Sequence, residues 1–140
     1  MQGSAVIPGL RYKDAHAMIA WLERAFGFVR HAVYDGPENT VMHAELTFGT
    51  RMIMIGSDSN AGWREHVSHP QATEGRVTTS LSLIVEDCRP IYASAKAAGA
   101  TVVRELAEME YGGRSFLVRD PEYYLWSVGE YDPWKPKIGA

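Results

Sequence analysis

His43 and Glu45 are residues whose types and spacing could do chemistry. They stand two apart in Val41 to Phe48, a stretch that reads as a strand, so their side chains share a face. An imidazole exchanges protons near neutral pH and a neighbouring carboxylate tunes it, which makes the pair a candidate acid/base couple or hydrogen-bonding wall. The plainer reading is a polar face on an edge strand. Val41 and Thr47 share that parity. Met42, Ala44, Leu46 and Phe48 form the opposite face, the one expected to meet a helix. Met52 and Met54 share a face on the following strand. Their thioethers suit flat or irregular ligands, and equally suit simple core filling.

Further candidates are scattered along the chain. Trp63, in a polar stretch with His66 and His69, is a candidate lid that stacks on a planar ligand. The gap between the two histidines admits a metal pair only on a helix, which Ser68 and Pro70 disfavour. A solvated linker is the alternative for all three. Arg11 has the parity of Ile7 and could reach a site rim to pair with an anion. Tyr111 and Arg114 flank Gly112-Gly113, a flexible rim or plain surface. Cys88 lies in the first turn of a helix, where a thiolate could be stabilised, though a structural role fits that position better. Tyr124 and Trp126 are expected to pack in the core.

The elements that position these residues come twice. Leu10-Arg11-Tyr12-Lys13-Asp14 opens an apolar run ending at Gly27, and Leu83-Ile84-Val85-Glu86-Asp87 opens another ending at Gly99. The offset between the aspartates, 73, also carries Ile55-Gly56 onto Val128-Gly129. A repeat of this length is one supersecondary unit used twice. Asp14 and Asp87 are good helix N-caps, and Gly27 a good C-terminal stop. The spacing predicts strand, helix and three strands in each half: Val6 to Tyr12, a helix after Asp14, Phe28 to Tyr34, Val41 to Phe48 and Arg51 to Ile55, then Thr79 to Val85, a helix after Asp87, Thr101 to Leu106, Ser115 to Arg119 and Tyr124 to Val128. We therefore expect a single domain over 1–140, with module one at 5–56, a linker or lid at 57–76, module two at 77–131 and a tail at 132–140.

The 140 residues suffice for one domain with a real core, and the hydrophobic fraction of 46% is that of a globular protein. A net charge of −3 argues against nucleic acid or an anionic membrane surface as partner. No apolar stretch approaches the ~20 residues of a transmembrane helix. Met1 to Ala5 lacks the pattern of a signal peptide. The lone Cys88 suits a reducing compartment, so a cytoplasmic location is expected.

With these motifs in place the chain resembles the vicinal oxygen chelate superfamily of glyoxalase I, bleomycin-resistance proteins and extradiol dioxygenases. The stretches that carry the resemblance are LRYKDAHAMIAWLERAFGF, HAELTFGTRMIMIG, LIVEDCRPIYASAKAAGA and GRSFLVRDPEYYLWSVGEY. The last resembles the family's DP-D-G ending, with Tyr123 where Gly is usual. The resemblance implies an α+β fold of two βαβββ modules, whose curved mixed sheets surround a concave cup with helices on the convex face. It also implies a homodimer.

In metal-using members, a His or Glu seven residues before each helix-opening Asp joins a Glu or similar ligand on the last strand of each module. The resemblance carries these positions onto Ile7, Ser80, Met54 and Ser127. Divalent ions of this class favour imidazole, carboxylate or water ligands, and this set offers none of those side chains. No His, Asp or Glu stands at 6–8 or 79–81 either. The expectation is therefore a metal-independent, cofactor-free binding protein of the bleomycin-resistance kind, sequestering an aromatic or amphipathic small molecule as in antibiotic resistance. Ile7, Arg11, Met52, Met54, Trp63, Ser80, Ser82 (which shares the parity of Ser80) and Ser127 would line the site. The alternative is an enzyme: a lyase, isomerase or cyclase using His43 and Glu45, or a glyoxalase-like metal enzyme with displaced ligands.

Overall fold

The computed structural model describes residues 3–59 and 61–136. The chain forms two compact units, Met1–Arg76 and Val77–Ala140. Each is a βαβββ module with a four-stranded mixed sheet.

In the first unit, β1 (Gly9–Tyr12) leads into α1 (Ala15–Phe26), then β2 (Val29–Asp35), β3 (Val41–Phe48) and β4 (Arg51–Ser57). The sheet order is β1-β4-β3-β2, with β1 parallel to β4 and the remaining pairs antiparallel. Asp14 caps α1 by accepting from the Ala17 N–H at 3.1 Å, and Gly27 ends it at φ 85°, where a Cβ would be strained. The helix buries Met18, Ile19, Trp21, Leu22, Ala25 and Phe26. Leu10, Tyr12, Ala44, Leu46, Ile53 and Ile55 are buried from the sheet. The opposite face carries Arg11, Glu45, Met52 and Met54.

The segment after β4 contains a single helical turn, α2 (Ala61–Arg64), and a 3-10 turn over Pro70–Thr73. It is more ordered than the linker expected from composition. His69 is buried, and its Nδ1 accepts from the Gln71 N–H, capping the 3-10 turn. Because α2 ends at Arg64, no helix brings His66 and His69 onto one face as a metal pair.

The second unit repeats the plan with β5 (Leu81–Ile84), α3 (Cys88–Ala97), β6 (Thr101–Glu108), β7 (Arg114–Arg119) and β8 (Leu125–Gly129), in the order β5-β8-β7-β6. The repeat is visible in the register. Gly9 faces Met54 across β1 and β4, and 73 residues later Ser82 faces Ser127 across β5 and β8. Helix α3 buries only Cys88 and Ala95 fully, so the core here rests on the sheet residues Phe116, Val118, Trp126 and Val128.

Two details differ from the sequence expectation, and a third agrees with it. First, Val41 is buried and Met42 exposed, the reverse of strict alternation. The cause is a β-bulge: Tyr34 pairs with His43 but Asp35 with Val41, which leaves Met42 as the extra residue. Second, β1 and β5 begin at Gly9 and Leu81, so Ile7 and Ser80 precede the strands on which they were expected. Pro8, which has no N–H, marks this boundary, while its carbonyl accepts from Met54 N. Third, the Cys88 thiol is buried, in keeping with the structural role favoured for it. Burial first, then the Glu130 carboxylate, pushes its pKa up to about 11, and Sγ donates to the Arg114 carbonyl at 3.3 Å.

Candidate functional site

Each sheet has one face against its helix, so its chemistry-bearing residues collect on the other. In the first unit that face brings His43 and Glu45 together as their spacing on β3 requires, with His43 Nε2 at 2.9 Å from Glu45 Oε2. Two residues of β2 join them. His31 Nε2 lies 3.9 Å from Glu45 Oε1, and the Tyr34 ring stacks on the His43 ring at a centroid distance of 6.2 Å. Glu45 thus has imidazoles near both of its oxygens. Met54 is the cross-strand neighbour of Glu45, and Met52 that of Thr47. The polar pair and the two methionines therefore belong to one surface.

Arg11 lies at the β1 edge of the same sheet. Its guanidinium carbon sits 4.3 Å from the centre of the Trp63 ring, a cation–π contact. Gly56, the β1–β4 partner of Arg11, makes this possible, because a Cβ at that position would collide with the guanidinium. The expected lid residue Trp63 is therefore joined to the expected rim residue Arg11. Ile7 is outside the strand and half-buried.

In the second unit the face opposite α3 holds a cavity of about 320 Å3. Its floor is hydroxylic: Ser82 and Ser127 are cross-strand partners, and Ser115 stands beside them on β7. Ile84, Tyr111 and Tyr131 also line it, the two tyrosine rings meeting edge-to-face at 5.4 Å. Ser80 is exposed and outside this lining. Arg104 on β6 donates from Nη2 to Ser115 Oγ at 2.9 Å.

Two acidic groups support the second unit. Glu130 accepts from the backbone N–H groups of Cys88 and Arg114 and from Arg114 Nε, and these bonds hold its carboxyl below the usual range. Arg114, read as a rim residue, is thus an ion-pair partner of Glu130. Asp120 is 1% exposed. Its Oδ1 accepts from Glu122 N and Tyr124 N, and its Oδ2 from Trp126 Nε1 at 3.0 Å. Buried Tyr124 and Trp126 pack in the core as expected and also hold this turn.

Sequence reading missed His31, Tyr34, Ser115, Arg104 and Tyr131. One signal was available for Ser115. Glu45 pairs with Met54 as Leu117 pairs with Ser127, so an offset of 72 on this strand carries His43 onto Ser115. His31, Tyr34 and Arg104 reach their partners through strand pairing, and bulges in β2 and β6 hide their parity.

Among the described residues, no group of three or more His, Cys, Asp or Glu is arranged to hold a metal ion. Nor is any helix among them long and apolar enough to cross a membrane.

Comparison with known proteins gives consistent findings. The family model described as the Glyoxalase/Bleomycin resistance protein/Dioxygenase superfamily matches residues 5–128. An uncharacterised protein of Mycobacterium bovis is 30% identical over 126 residues, covering 90% of this chain and 82% of that one. TioX from Micromonospora sp. ML1 is similar in structure at TM-score 0.70 and 28% identity, over 93% of this chain and 100% of that one. The fosfomycin resistance protein FosX from Listeria monocytogenes shares the fold at TM-score 0.67 and 15% identity, over 95% and 97% of the two chains.

Proposed function

Because the chain belongs to the glyoxalase/bleomycin resistance protein/dioxygenase superfamily, we propose that it is a metal-independent binding protein that sequesters an aromatic or amphipathic small molecule, as a cytoplasmic homodimer with a role in antibiotic resistance. The observation that carries this reading is the cavity of the second unit. Its volume of about 320 Å3 suits a small organic ligand. Tyrosine rings and aliphatic side chains give it apolar wall, and serine hydroxyls give it a few polar anchors. The donor chemistry supports metal independence. The resemblance carries the superfamily's metal positions onto Ile7, Met54, Ser80 and Ser127, which offer an alkyl group, a thioether and two neutral hydroxyls. Such a set does not fit a divalent ion that polarises a carbonyl or activates a water.

Elemental analysis of protein purified without chelator, paired with a melting screen against aromatic compounds, tests this reading. Ligands that bind the folded state raise the melting temperature by mass action. We expect such shifts without added metal; stoichiometric zinc, nickel, manganese or iron would overturn metal independence. Light scattering at micromolar concentration tests the homodimer, which a monomeric mass would refute.

The 2.9 Å contact between His43 and Glu45 favours a second reading, an acid/base enzyme acting on a small organic substrate. Glu45 would fix the imidazole orientation and stabilise its protonated form after it accepts a proton. The variants His43→Gln and Glu45→Gln separate the readings: both abolish turnover in an enzyme, and neither abolishes sequestration.

A further inference from the structure

The cavity of the second unit contains one group that is already oriented. Ser115 is 3% exposed and is among the residues that line the cavity. Its oxygen accepts from the Arg104 guanidinium. A hydroxyl carries one donor hydrogen besides its lone pairs, and accepting from a cation polarises the O–H and makes it a stronger donor. Arg104 thus fixes one role for this oxygen, and the hydrogen remains available to an acceptor in the cavity.

Two further observations say what kind of acceptor fits. None of the residues lining the cavity carries a formal charge. The nearby Arg114 is held by Glu130 and does not line it. Arg104 reaches the lining through Ser115 Oγ, 2.9 Å from its Nη2, and a neutral acceptor bonds the polarised hydroxyl without the desolvation cost an anion would meet. The walls, with Tyr111 and Tyr131 in edge-to-face contact, offer ring surface to a flat molecule. Access to Ser115 also depends on Gly129, its cross-strand partner. A Cβ there would sit 3.5 Å from Ser115 Oγ, in ordinary contact and with no backbone strain, so the glycine leaves open the space beside the hydroxyl.

We infer that the Ser115 hydroxyl, oriented by Arg104, is the recognition point for a carbonyl oxygen on a neutral, flat aromatic ligand seated in this cavity. The inference rests on the small-molecule binding reading and deepens it. The cavity side of Ser115 donates one hydrogen bond to the ligand carbonyl, while the tyrosine and aliphatic walls hold the ring system. Ser115 occupies the β7 position that corresponds to His43 on β3, so the two modules carry different polar groups at equivalent places.

The test uses the full chain and three probes of one shape: 9-fluorenone, fluorene, which lacks the oxygen, and the anionic 9-fluorenone-4-carboxylate. Affinity is measured by calorimetry or fluorescence titration, and the hydrogen bond by the infrared carbonyl stretch of bound fluorenone. We expect wild type to bind fluorenone about tenfold more tightly than fluorene, a range consistent with one well-placed polar contact, and to bind the carboxylate more weakly than fluorenone. The carbonyl stretch should move to lower frequency on binding. Ser115→Ala should bring fluorenone down to the affinity of fluorene, leave fluorene unchanged and abolish the frequency shift. Gly129→Ala, which covers the hydroxyl without removing it, should do the same should the serine variant fold poorly. Arg104→Met should give an intermediate loss. Equal wild-type affinity for ketone and hydrocarbon, or a ketone preference that survives Ser115→Ala, would overturn the inference while leaving the binding function standing. Failure of wild type to bind either neutral probe would overturn both.

Discussion

Tyr123 sits in the turn that joins β7 to β8 with φ at 77°, a left-handed conformation that favours glycine. The turn is held from several sides. Tyr123 N donates to the Asp120 carbonyl, the Tyr123 carbonyl accepts from Arg119 Nη1, and Asp120 gathers the N–H groups beyond it. The surroundings impose this backbone conformation, and a non-glycine residue there costs on the order of 1–3 kcal/mol. Because the residue is 43% exposed and so loses little packing, Tyr123→Gly should raise unfolding stability by about 1 kcal/mol, after allowing for the greater freedom of glycine in the unfolded chain. Urea denaturation checks this, and an unchanged or lower midpoint would contradict it. At the same scale, the His43–Glu45 contact shows how far spacing alone reaches. Parity on one strand brings these two side chains together, whereas His31 and Tyr34 arrive only because β2 pairs with β3.

Strand β4 illustrates how an element is shaped for a neighbour. Its alternation sends Ile53 and Ile55 to the helix face and Met52 and Met54 to the other, but Gly56 interrupts the second row. The missing side chain is the space in which the Arg11 guanidinium lies under Trp63. Gly56→Ala should displace the flexible end of Arg11, and its Cβ, 3.3 Å from the Met42 carbonyl oxygen, should press that backbone back by a few tenths of an ångström. The expected cost is about 1–2 kcal/mol, the worth of a half-buried cation–π contact. Trp63 should at the same time become more accessible to acrylamide, measured as the difference between this variant and one that also carries Trp63→Phe. Unaltered quenching would show that Arg11 does not depend on the gap. The two helices differ in a related way. α1 anchors its unit through aromatic and aliphatic side chains, whereas α3 is attached by small residues, by the Tyr92–Phe116 ring contact at 5.0 Å and by the Glu130 bridge to its first turn.

For the molecule as a whole, acid sensitivity should concentrate at the start of α3. Asp87 is held down to about 2 from 3.8, first by the Arg89 side chain and then by the Arg89 backbone N–H, and Glu130 is lowered chiefly by backbone N–H groups. Both carboxyls have folded pKa values below their unfolded ones. The stability they contribute is therefore present above the unfolded values and is lost as pH falls through the folded ones, a window that for Asp87 runs from about 3.8 down to about 2. Urea titrations across that window should show stability falling less steeply in Asp87→Asn, which keeps a capping side chain but does not titrate; an unchanged slope would refute the assignment. Much of the architecture was legible in the sequence, since the duplicated Asp-capped helices, their glycine stops and the alternating strands come from local rules that each segment obeys alone. The Met42 bulge was not legible, because an extra residue in a ladder is set by the partner strand. The cavity floor depends on pairing between distant segments, Ser82 with Ser127 and Ser115 with Gly129, and on an arginine from a neighbouring strand. By itself the sequence determined the repeated module, because it follows from residue type and short-range periodicity. Only the tertiary structure decided which hydroxyls, rings and cations share a surface, because strand register and bulges bring residues far apart in the chain within a few ångströms.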